Sequence, residues 1–163
     1  MTINVYRHTD ASAPAMSASA GALIAILDFG LLAAGWTKSF SGTNLATYKP
    51  PAGNGFYFAI DDTVTTYARL RGFETVTEAG VAVSAGTGPM PTDAQLSGGA
   101  YLAKTSTAGW TLVVSDRSCY LVTDYTTRPS FFWGDLAEGI AGDVYNTALI
   151  ASDNASASTN AYA

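Results

Sequence analysis

The sequence predicts a mainly β fold, an antiparallel β-sandwich or partly open barrel with one N-terminal helix and an extended N-terminal arm. Three observations carry that expectation. One apolar stretch with helical spacing, residues 18–36, stands near the start of the chain. Beyond residue 36 the apolar period falls to two, in short runs rich in aromatic and β-branched residues. Gly, Pro, Asn and Asp recur between those runs. At 163 residues the chain is long enough for one real core, burying roughly 70% of the surface its unfolded form exposes. No polar linker divides two apolar blocks and no long internal repeat occurs, so the expected organisation is an arm over residues 1–17, a single β-rich domain over 18–151 and a tail over 152–163.

In the arm, a brief alternation at Ile3 and Val5 runs into Ser12, Pro14 and Ser17, which suit strand or coil better than helix. Extended arms of this kind lie on another surface. The helix is expected over residues 19–35, with Ser19 as N-cap and Gly35 as the residue just past its C-terminus. At 100° per residue, Leu23, Ile24, Leu27 and Leu31 share one face, Asp28 and Leu32 follow, and Ile26 and Phe29 lie opposite. An apolar band that nearly encircles a helix needs burial on more than one side. Either the β body and a long loop cover it, or the β body and a neighbouring subunit do. The interface reading takes Ile3, Val5, Ile24, Leu27, Phe29, Leu31, Leu32 and Trp36 as the docking residues.

Strands are expected at residues 56–60 and 67–76, joined by 61–66. A hairpin follows at 110–115 and 119–123, turning at Asp116 and Arg117. Further strands are expected at 131–133 and 147–151. Residues 79–100, rich in Gly and Pro, are too long for a simple connection and read as a packed or functional loop. The tail has only Tyr162 as an anchor and is expected to be disordered or ordered by a neighbour.

Charged residues make up only 13% of the chain, about half the usual share. Residues 1–72 hold five bases and four acids, whereas residues 73–163 hold three bases and nine acids, so the net charge of −5 sits in the second half. That acidity argues against nucleic acid as a partner, because phosphate binding needs a Lys/Arg footprint. A membrane role is not expected either: Asp28 and Gly at 21, 30 and 35 interrupt the apolar stretch, and the basic residues do not directly precede it.

Chemistry has few candidates. Cys119 is the only cysteine and His8 the only histidine, which leaves neither an intrachain disulfide nor a multi-histidine metal site. His8 and Asp10 lie in the arm, where nothing orients a catalytic base, and Cys119 sits in an apolar strand as a small core residue. The carboxylate pairs Asp61 with Asp62, Glu74 with Glu78 and Asp135 with Glu138 fall at strand ends or turns, as ordinary solvated residues. Asp61 and Asp62 should point to opposite sides if the strand continues. A calcium site from Asp61, Asp62 or Asp143 lacks EF-hand spacing. The prolines in the Gly-Thr-Gly-Pro-Met-Pro-Thr run at 86–92 remove backbone N–H groups that a phosphate loop needs. The expectation is therefore a protein without catalytic residues, cofactor or metal. Nine Tyr, seven Phe and three Trp remain: a sandwich core absorbs Phe56, Phe58, Phe73, Trp110, Phe131 and Trp133, whereas an adhesive or carbohydrate-binding module would expose several on one face.

Residues 35–49, reading Gly-Trp-Thr-Lys-Ser-Phe-Ser-Gly-Thr-Asn-Leu-Ala-Thr-Tyr-Lys, resemble a group of small virion structural proteins of tailed bacteriophages. Further matching pieces are Leu23-Ile24-Ala25-Ile26-Leu27-Asp28, Gly55-Phe56-Tyr57, Asp61-Asp62-Thr63, residues 68–74 and residues 86–92, so the likeness spans most of 5–136. The resemblance implies membership of a phage particle, with copies of itself and other virion proteins as partners and no catalytic residues to carry over. It leaves the position open: a head-decoration or cement protein, or a neck, tail or baseplate component. A host-surface glycan is the partner under the adhesive alternative. The stretch between Leu27 and Gly35 is shorter than the group's usual one, so a different exit from the helix is expected.

Overall fold

The computed structural model describes residues 2–104, 109–124, 128–135, 147–153 and 158–162. The elements run in the order β1 (Asn4–Arg7), α1 (Ala22–Leu27) continuing into a π-helical turn (Asp28–Leu32), β2 (Thr37–Gly42), β3 (Leu45–Lys49), β4 (Tyr57–Asp61) and β5 (Tyr67–Phe73). Next come β6 (Thr75–Val76), a 3-10 turn (Val83–Ala85), β7 (Gly86–Thr87), β8 (Ala100–Ala103), β9 (Trp110–Val114), β10 (Ser118–Thr123), β11 (Ser130–Asp135), β12 (Thr147–Asp153) and β13 (Ser158–Tyr162). A first sheet has the order β1-β9-β10-β11-β12-β13, a second β2-β3-β4-β5-β8, and β6 with β7 forms a small ribbon. Every pairing is antiparallel, and the two large sheets form a β-sandwich.

Side-chain alternation builds the core. Trp110, Leu112, Leu121, Phe131 and Trp133 of the first sheet meet Tyr48, Phe58, Ile60, Leu70 and Leu102 of the second, all buried. Phe58 packs on Phe131 at 5.2 Å between ring centroids and stacks on Trp133 at 5.6 Å. Position 72 must be Gly, because a Cβ there would run into the Trp133 ring from the opposite sheet.

The helical segment fills the space between the sheets at the β1 and β2 end. Ile24, Leu27, Leu31 and Trp36 are buried in the same chain's core, and the Trp36 indole N–H donates to the Ser115 carbonyl at 2.8 Å. Its second side is therefore covered by its own body. The helix begins at Ala22 rather than at 19, and Ser19 does not cap it. The Asp62 carboxylate does so from across the fold, accepting the N–H groups of Leu23 (2.8 Å) and Ile24 (3.2 Å). The C-terminus matches expectation: Gly35 takes φ 87°, and the N–H groups of Trp36 and Gly35 return to the carbonyls of Leu31 and Leu32. The pitch widens at Asp28, whose carboxylate accepts from Lys38 Nζ (2.9 Å) and the Tyr48 hydroxyl (2.8 Å). Burial, and then the Asp28 charge, push that hydroxyl far above the usual tyrosine range.

Two terminal expectations change. The arm is not free, since β1 pairs with β9 of its own chain, Val5 opposite Val113. The tail contains β13, which pairs with β12. The expected strands at 56–60, 67–76, 110–115, 119–123, 131–133 and 147–151 all have counterparts, while β2, β3, β7, β8 and β13 are additions.

Candidate functional site

Residues facing away from the core on the first sheet form one unbroken row. The register sets Val5 opposite Val113, Val113 opposite Tyr120, Tyr120 opposite Phe132 and Phe132 opposite Ile150. Five strands thus present five large apolar side chains side by side, and Val122 and Ile3 extend the row. Val5 and Tyr120 are each 41% exposed and Ile3 is 61% exposed, with the others half-buried by their neighbours. Thr111, Ser118 and Ser130 are further outward positions, Gly134 and Ala148 on the same face are buried, and Arg7 lies at the rim. The outward face of an antiparallel sheet is ordinarily polar. Here the sequence alternates buried and less-buried apolar residues, so both faces are apolar.

The expected docking residues divide. Ile24, Leu27, Leu31 and Trp36 lie at 0–8% exposure inside the chain's own core, which removes them as docking residues. Phe29 is half-buried between Tyr6 and Trp110, with ring centroids 5.8 and 6.2 Å away. Leu32 is 43% exposed at the end of the π-helical turn. Only Ile3 and Val5 of the eight belong to the apolar row. The rest of the row was signalled in the sequence by Phe131, Phe132 and Trp133, three consecutive aromatics that must load both faces of any strand.

The carboxylate pairs separate as well. Asp61 faces outward and is paired with Arg69 at 2.5 Å, while Asp62 faces inward and is fully buried against Lys104. Asp62 is therefore not the solvated strand-end residue expected. Asp135 accepts from Thr147 (2.8 Å) and from the Asn54 N–H (3.1 Å). Its expected partner Glu138, and Asp143, lie outside the described residues. Glu74 lies over Gly88 beside a cleft of about 280 Å³ that Phe56, Phe73, Met90 and Gln95 also line. No group of three His, Cys, Asp or Glu side chains converges among the described residues. Nor, among them, is any helix long and apolar enough to cross a membrane.

His8 is held by backbone: its N–H donates to the Trp110 carbonyl at 3.0 Å, and the Trp110 N–H reaches its Nδ1 at 3.2 Å. Burial pushes the Cys119 thiol far above its ordinary range, which leaves it unreactive. All three tryptophans are buried, so none is available as a sugar-stacking platform. Phe73 is buried outside the sandwich core, in a second cluster with Ala59, Val81 and Ala85. No protein-family model matches the chain, and no curated protein matches it.

Proposed function

We propose that this chain is a non-enzymatic structural component of a tailed-phage virion, a head-decoration or cement protein, which assembles by packing the outer face of its first sheet against the same face of another copy. The observation that carries the assembly part is the apolar row from Val5 to Ile150. Its occupant follows from charge and shape. Among the described residues the centre of the face carries no charged side chain, so a charged partner would be desolvated there without compensation, whereas an identical apolar face matches it. The virion part is supported by the resemblance at residues 35–49 and 86–92.

The size of the row sets the strength of the contact. Four spacings between β1 and β12 and about five residues along each strand give a face of roughly 300 Å² in plan. A stable pair of free proteins usually buries about 800 Å² on each partner. Two copies should therefore associate weakly in solution and firmly only where symmetry repeats the contact over a particle. Sedimentation equilibrium across a wide concentration range should show a weak monomer–dimer equilibrium, and a reconstruction of the particle should place first-sheet faces together. A strict monomer at the highest concentrations, or a particle position in which that face contacts a different protein, overturns the self-packing reading. Absence of the chain from purified particles overturns the virion reading.

A further inference from the structure

The geometry points to a covalent cross-link in the core: we infer that Lys104 and Asp62 condense into an intramolecular amide, with loss of one water, once the sandwich has folded. Both side chains have no solvent exposure, and Lys104 Nζ lies directly against Asp62 Oδ1. The topology brings them together. Asp62 follows β4 and Lys104 follows β8, strands that flank β5 and run in the same direction, so both residues leave the same end of the second sheet.

The surrounding groups suit an amide better than an ion pair. An ammonium has three protons to donate, and among the described residues Lys104 Nζ meets two acceptors, Asp62 Oδ1 and the Ser19 carbonyl at 2.8 Å. An amide has one N–H and one carbonyl oxygen, and a partner for each is already in place. The N–H donates to Ser19, while the carbonyl, the former Oδ2, keeps the N–H groups of Leu23 and Ile24. Desolvating a carboxylate and an ammonium together is costly, and the neutral product removes both charges from the interior.

The same two backbone N–H groups serve the reaction. They point at Oδ2, the oxygen that gains negative charge when the amine adds to Cγ, and so act as an oxyanion hole. Burial pushes the Asp62 carboxyl above its ordinary range, the direction that favours its taking one proton from the Lys104 ammonium across their contact, which exposes the Nζ lone pair. The Nζ lone pair forms the bond to Cγ, and the Cγ–Oδ1 bond breaks. Two of the three ammonium protons leave with Oδ1 as water, and the third remains as the amide N–H. No oxidant, metal or other reactant is needed.

The test is the intact mass of the full chain, denatured after prolonged incubation at neutral pH. The expected mass is that of the sequence less one water. Tryptic digestion should give one branched peptide joining the segment that contains Asp62 to the segment that contains Lys104, with no cut after Lys104. Lys104→Arg should restore the full mass and, by opening the ring, retard the denatured chain in gel electrophoresis. A wild-type chain of full sequence mass, or a water loss that maps elsewhere, shows that the pair is a buried ion pair only and overturns the proposal.

Discussion

The outer faces of the two large sheets solve the same problem in opposite ways. On the second sheet, Ala59 and Phe73 point away from the core and are still buried, because residues 79–100 fold back over them and bring Val81 and Ala85 into contact. Arg71, also on that face, fastens the covering. Its guanidinium donates to the Val81 carbonyl at 2.6 Å, to Asp93 at 2.7 Å and to the Leu96 carbonyl at 3.3 Å. On the first sheet, Val5, Tyr120, Phe132 and Ile150 form a comparable apolar face, and the described residues offer it no such cover. One face is completed by its own chain, and the other is the face proposed to meet a second copy.

Damage beneath both faces should have the largest effect. Trp133 stacks on Phe58 and packs over Gly72, so it belongs to the layer the two sheets share. Trp133→Ala should destabilise the fold by about 3–5 kcal/mol, the usual cost of deleting a large buried aromatic. In urea unfolding the midpoint should fall sharply, and both faces should be lost in one transition. A Trp133→Ala protein in which residues 79–100 open separately would show that the covered face is an independent unit.

Detaching the cover should cost less and affect one face only. Arg71→Met keeps much of the buried stem but removes the donors to Val81, Asp93 and Leu96, a loss of about 2 kcal/mol for hydrogen bonds to a charged group. Protease should then cut within residues 79–100 while the sandwich stays intact. Acid should act on the same fastening. The Arg71 hydrogen bond, followed by the Gly98 N–H, holds the Asp93 carboxyl below the usual aspartate range. A lowered folded value means the fastening is complete above about pH 4, the unfolded aspartate range, and fades as pH falls through the lower folded value. Pepsin cleavage of residues 79–100 should increase over that acid range in the wild type and be insensitive to it in Arg71→Met.

How much of this contrast was legible in the sequence depends on which face is considered. The strands at Tyr57–Asp61 and Tyr67–Phe73 were readable from their alternating pattern and aromatic residues, although both of their faces are buried. β2 and β3 were not, because Thr, Lys and Ser dilute the alternation there and the turn at Asn44 is made by a non-glycine residue at φ 57°. The helix C-terminus was readable, since Gly35 supplies it locally. Its N-terminus was not, because the capping carboxylate stands 39 positions away in the chain. Sequence reasoning also offered the arm and the helix together as the docking surface, with six of its eight residues, from Ile24 to Trp36, in or just after the more conspicuous apolar band. That band is explained by two sheets of the same chain enclosing it. The consecutive apolar residues at 119–122 and 131–133 were the better signal, because a strand has only two sides and its core face needs only one residue in two.

The smallest effect on the fold should come from the bare face, and there the two faces differ most clearly. Tyr120 is 41% exposed at the middle of the row, between Val113 and Phe132, and makes no hydrogen bond through its hydroxyl among the described residues. Tyr120→Lys removes an exposed ring and introduces a charge that water can solvate in the monomer. The free chain should therefore change stability by no more than about 0.5 kcal/mol, the ordinary range for surface substitutions. In a face-to-face pair the same lysine would be desolvated opposite an apolar surface, and its symmetry mate would lie close by. Self-association measured by sedimentation should vanish while the urea midpoint stays put. If Tyr120→Lys instead unfolds the monomer, the first-sheet face contributes to the fold as the covered face does, and the contrast between the two sheets fails.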